Sequence, residues 1–120
     1  MNATTSWHHI CDLDDILPDT GAAALVEGRQ VAIFRTAGGV FALDNADPAG
    51  GGANVLARGI VGDLGGRLVV ASPLYKHHYD LTSGFCLENA EIGVRPWRVR
   101  VQAGCVQVAS PREEVARAPR

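Results

Sequence analysis

Short runs of alternating apolar and polar positions, cut by glycine-bearing turns, cover most of the chain. The pattern is clearest at residues 30–35. There Val31 and Ile33 fall on one face of a predicted strand and Ala32 and Phe34 on the other, because strand side chains alternate. Residues 22–26 supply its partner across a turn at Glu27-Gly28-Arg29, and residues 40–43 return after Ala37-Gly38-Gly39. Trp97, Val99 and Val101 alternate with Arg98 and Arg100 and predict a half-buried strand, turned at Gln102-Ala103-Gly104 into a terminal hairpin with 105–108. Residues 7–11 and 85–87 are shorter strand candidates, and the apolar run Leu68-Val69-Val70 marks a buried strand at 67–71. Asp12 is placed to cap one helical turn that Pro18 ends. Strands this short with glycine turns between them predict an antiparallel all-β domain.

Between these runs lies a stretch without regular period. Residues 50–66 open on Gly50-Gly51-Gly52 and close on Gly65-Gly66, and they read as an insert loop with an apolar middle at 55–61. No Lys-Ser/Thr follows at the spacing that cradles phosphate, which argues against nucleotide binding.

A length of 120 residues indicates one domain, assigned to 7–109 between a flexible N-terminus at 1–6 and a flexible tail at 110–120. Apolar residues make up 47%, enough for a core, and a net charge of −2 leaves no basic footprint for nucleic acid. No apolar run approaches the ~20 residues that span a bilayer, and residues 1–5 do not read as a secretory signal. The expected location is cytoplasmic, with neither membrane nor nucleic acid as partner. Cys11, Cys86 and Cys105 are widely spaced and odd in number, which favours free thiols.

Candidate chemistry gathers at two proline turns that flank the insert. One is Asp44-Asn45-Ala46-Asp47-Pro48-Ala49; the other is Ser72-Pro73-Leu74-Tyr75-Lys76-His77-His78-Tyr79-Asp80-Leu81. His77 and His78 are adjacent, so on a strand they face opposite ways and do not chelate one ion together; His8 and His9 share that problem. No Ser-His-Asp or Cys-His arrangement can be assembled, and no catalytic residue is assigned.

The two turns resemble those of the Rieske family. There the first loop carries Cys-x-His after Asp-Asn, and the second carries Cys-Pro-x-His before Phe/Tyr-Asp-Leu and a glycine turn; two Cys hold one iron and two His the other. The frame residues Asp44, Asn45, Pro48, Pro73, Tyr79, Asp80, Leu81 and Gly84 are present. At the ligand positions stand Asp47, Ala49, Ser72 and Tyr75. The resemblance implies a Rieske-like fold, an antiparallel β-sandwich of small stacked sheets with both loops at one end. The ligand replacements imply that the chain carries no cluster and no metal. Asp47, Ser72 and Tyr75 are then expected to hydrogen-bond across the vacated clamp.

Val31-Ala32-Ile33-Phe34-Arg35, Gly59-Ile60-Val61-Gly62-Asp63 and Ser72-Pro73-Leu74-Tyr75-Lys76 are more specific. They resemble the small-subunit family of NAD(P)H-dependent assimilatory nitrite reductases, in which the cluster ligands are lost in the same way. That resemblance implies an accessory subunit, non-catalytic by itself. Its partner would be a large subunit that holds FAD, sirohaem and an iron–sulfur cluster and reduces nitrite to ammonia. Leu56, Ile60, Leu74, Tyr75 and Lys76 are the expected contact residues. A Rieske-type ferredoxin of a dioxygenase system and a non-enzymatic β binding module remain as alternatives.

Overall fold

The computed structural model describes residues 6–111. The flexible segments expected at the two ends lie mostly outside the described residues. The described residues form eleven strands: β1 (His8–Asp12), β2 (Thr20–Val26), β3 (Arg29–Thr36), β4 (Gly39–Asp44), β5 (Ala46–Asp47), β6 (Ala53–Asn54), β7 (Ile60–Leu64), β8 (Arg67–Ala71), β9 (His78–Asp80), β10 (Pro96–Gln102) and β11 (Cys105–Ala109). They form a six-stranded sheet in the order β1-β11-β10-β4-β3-β2, a two-stranded ribbon β5-β6, and a three-stranded sheet β7-β8-β9. Every pairing is antiparallel.

β3 organises the interior because both of its faces are covered. Ala32 and Phe34 pack with Leu43, Val70, Tyr79 and Leu81, between the large sheet and the three-stranded one. Val31 and Ile33 face the other way and pack with Val26, Trp97, Val106 and Val108. All of those belong to the six-stranded sheet, so the sheet curls over on itself. The bend falls at β10, which pairs with β4 through Pro96 and Trp97 and with β11 from Arg98 onward.

Frame residues from the sequence have physical roles in this arrangement. Asp44 accepts the Trp97 indole N–H at 2.6 Å. The buried Asn45 amide donates to Gln30 Oε1 at 3.1 Å and its oxygen accepts Ala57 N–H at 2.7 Å, which ties the insert to the sheet. Asp80 accepts the backbone N–H groups of Thr82 and Ser83. Gly84 has φ +82°, and a Cβ there would sit 1.9 Å from the Val94 carbonyl oxygen, so no other residue fits.

Several expectations need correction. Residues 50–66 are not a loop: they contain β6, a 3-10 turn at Leu56–Arg58, and β7. Leu56, expected at the contact surface, is fully buried against Phe34 and Tyr79 in the core between the sheets. Its neighbours in the apolar middle of the insert are split between inside and outside, because the turn rolls one side chain under β2 and β3. Val101 is 41% exposed rather than half-buried, since β10 has run past the core by that point. Residues 85–87 pair only through isolated bridges.

Candidate functional site: a two-loop clamp

The two loops meet. β5 delivers Asp47, and Pro48 starts a 3-10 turn, Pro48–Gly50, whose first turn Asp47 caps by accepting Ala49 N–H at 3.0 Å. β8 delivers Ser72, whose hydroxyl accepts Leu74 N–H at 3.2 Å and donates to Asp47 Oδ2. The tip of Leu74 lies against Gly50; a Cβ on Gly50 would approach Leu74 Cδ1 to 2.5 Å. One buried hydrogen bond and one apolar contact therefore join the loops.

A third donor completes the junction. Tyr79 on β9 is fully buried, and its hydroxyl donates to Asp47 Oδ1 at 2.7 Å. Burial alone would raise the Asp47 pKa, but the donors from Ser72, Tyr79, Ala49 and Gly50 outweigh it, and the carboxyl lies below its ordinary value. Tyr79 is pushed far above its ordinary value, first by burial and then by the carboxylate beside it. It stays a proton donor. The arrangement is a buried carboxylate satisfied by hydroxyl and amide donors, the condition under which a buried charge is tolerated.

Of the expected trio, Asp47 and Ser72 are brought together and Tyr75 is not. Its side chain is 65% exposed. Tyr79 takes the role assigned to Tyr75, because β9 alternates inward at that residue while the tip of the second loop turns outward. Leu74, Tyr75 and Lys76 all lie on the exterior. Lys76, Ile60 and Pro73 line one shallow hollow with Arg58, so the insert and the second loop do sit side by side.

These residues do not fit an iron–sulfur cluster. Ala49 has no lone pair, and Asp47 and Ser72 are committed to each other. Tyr75 points to solvent. Such a cluster takes thiolate and imidazole ligands. Nor do the histidines help. His78 is hydrogen-bonded to Glu88 at 2.5 Å, and the Nδ1 of His77, which precedes β9, is buried without a partner among the described residues. His8 is paired with Glu27 at 2.8 Å. A site joining Asp47 to one of these imidazoles is not formed.

Residues 6–109 match the Rieske-like [2Fe-2S] domain family. Over 106 residues the chain is 45% identical to the nitrite reductase (NADH) small subunit of Salmonella typhimurium, across 87% of this chain and 97% of that one. This chain belongs to the nitrite reductase (NADH) small-subunit family. The solved structure of the E. coli protein NirD has a TM-score of 0.82 at 41% identity, over 91% of this chain and all of that one. In Klebsiella oxytoca the nitrite reductase [NAD(P)H] large subunit contains a matching segment, 46% identical over 87% of this chain and 11% of the larger protein. The ferredoxin of carbazole 1,9a-dioxygenase from Nocardioides aromaticivorans shares the fold, with a TM-score of 0.73 at 23% identity over 91% of this chain and all of the ferredoxin.

Proposed function

We propose that this chain is the cluster-free small subunit of an NAD(P)H-dependent nitrite reductase, and that it docks on the large subunit through the outer side of the clamp. The match across nearly the whole length of a nitrite reductase small subunit carries the assignment. The Klebsiella large subunit, which holds the same domain within one chain, supports a large-subunit partner. Cofactor chemistry, with its flavin, sirohaem and iron–sulfur centres, would belong to that partner. This chain contributes shape, apolar surface and charge, in the cytoplasm. Purified alone and reconstituted anaerobically, it is expected to assemble no iron–sulfur cluster.

Ile60 is 75% exposed and lines one hollow with Lys76, and Leu74 (43% exposed) and Tyr75 (65%) precede Lys76 in the same loop. An apolar cluster ringed by polar groups marks a contact surface, and a few large side chains carry most of the binding energy. Leu56 is removed from that set by its burial. The test is a calorimetric titration against the large subunit with Leu74→Asp combined with Tyr75→Ala, while circular dichroism follows the isolated variant. Weakening by roughly 2–4 kcal/mol or more in a folded variant is expected. Unchanged affinity would move the docking surface elsewhere on the domain.

A further inference from the structure

We propose that His9, Asp12 and Cys105 form a surface site for a zinc-class divalent cation, on the outer face of the β1–β11 edge. The imidazole, carboxylate and thiol each offer one ligand atom, and those atoms lie within 4.8 Å of one another. The site is independent of the clamp, which is built from other strands.

A backbone irregularity creates the cluster. Along a regular strand His9 and Asp12, three residues apart, would face opposite sides. β1 is not regular: His9 pairs with Gln107 and Cys11 with Val106, so β1 advances two residues while β11 advances one. Ile10 is the extra residue of a β-bulge. As a consequence Ile10 and Cys11 both turn inward and pack on the core formed by Ile33, Val106 and Val108. His9 and Asp12 are thereby left together on the outside. Asp12 stands directly across from Cys105 in the ladder, on the same face as Gln107 and His9.

The geometry is close to what zinc requires. With arms of about 2.0–2.3 Å, tetrahedral coordination places thiolate, imidazole and carboxylate atoms about 3.3–3.7 Å apart. Cys105 Sγ already donates to Asp12 Oδ1 at 3.9 Å. Rotation of the exposed His9 and Asp12 side chains toward the half-buried Cys105 closes the remainder. The donor types suit a borderline-soft cation: the thiolate disfavours magnesium and calcium, and the imidazole suits zinc, cobalt and nickel. A carboxylate and a thiolate together neutralise a dication. Three protein ligands leave a fourth position open to water or to a group on a partner.

The test uses the tag-free full chain titrated with zinc alone by calorimetry, and with cobalt(II) followed by absorption. Expected are one zinc per chain and a thiolate-to-cobalt charge-transfer band. Cys105→Ser should abolish the band, and His9→Ala should weaken zinc binding at least ~tenfold, the smallest loss expected when even a supporting group of a metal site is removed. His8→Ala, one residue away and paired with Glu27, should bind as the parent does. Absence of saturable zinc uptake by the parent chain would overturn the proposal. So would an undiminished band in Cys105→Ser.

Discussion

The inner and outer halves of the clamp have gone separate ways. At the two positions where the Rieske pattern has Cys, Asp47 and Ser72 are buried and hydrogen-bonded to each other. At the two positions where it has His, Ala49 is partly exposed and Tyr75 projects into solvent. A cluster would bridge both loops through all four residues. Here only the inner pair still bridges them, with Tyr79 added from β9. The inner half therefore holds the loops in register, and the outer half is free for contact. The lesson is that a satisfied buried carboxylate joins the two loops here, and it constrains only two of the four positions at which the Rieske pattern has ligands.

Removing the inner hub tests the difference most severely. Asp47→Ala strands the hydroxyls of Ser72 and Tyr79 in the interior, and each unsatisfied group costs roughly 1–3 kcal/mol, with bonds to charge at the upper end. A loss of about 3–5 kcal/mol in chemical denaturation is expected. Less than ~1 kcal/mol would mean that the loops are held by packing alone, as through Leu74 on Gly50. The sign with pH follows from the lowered pKa of Asp47. A carboxyl depressed in the folded state stabilises fully above the unfolded value of about 3.9, and that stabilisation is lost as pH falls through the folded value. The gap between parent and Asp47→Asn should be widest near neutral pH and shrink below about pH 4. Glu88, also lowered although burial opposes it, acts in the same direction in both proteins, through its bonds to His78, and cancels in the difference.

Two tyrosines four residues apart sharpen the contrast at a smaller scale. Tyr79→Phe deletes a buried hydroxyl 2.7 Å from the Asp47 carboxylate and should destabilise the domain by about 1–3 kcal/mol. Tyr75→Phe, on the exposed tip, should change folding stability by less than about 0.5 kcal/mol. Equal effects from the two would erase the division between inner and outer halves.

Much of this arrangement was legible from residue order, and what was not has definable causes. The alternation in residues 30–35 placed Val31 and Ile33 opposite Ala32 and Phe34, and the two cores divide along that line. The ligand positions and frame residues located both loops. Periodicity failed in the insert, because an irregular apolar stretch carries no signal to separate the buried Leu56 from the exposed Ile60. Tyr79 was visible only as a frame residue: that a buried carboxylate needs further donors follows from Asp47, but which phenol supplies one depends on how β9 meets β5. The His9–Asp12–Cys105 cluster was hidden twice over, by a bulge that breaks the two-residue period and by a partner on a strand 93 residues away.

The smallest expected effect concerns Lys76, at the exposed tip of the second loop. Its φ is +60°, in the left-handed region that favours glycine. For a residue with a Cβ that conformation costs roughly 1–2 kcal/mol. Lys76→Gly relieves the cost but adds freedom to the unfolded chain, worth about 0.4–1 kcal/mol in the opposite direction. The net should be a stability unchanged or raised by up to about 1.5 kcal/mol. Lys76→Ala keeps the strain and removes only the charged arm, so its folding stability should stay within about 0.5 kcal/mol of the parent. If the outer half of the clamp serves docking, both variants should bind the large subunit more weakly, and their folding should show nothing of it. The two measurements together decide what holds a lysine in a left-handed conformation. A loss of more than about 1 kcal/mol of folding stability in Lys76→Ala would assign the side chain to the fold and withdraw it from the contact surface.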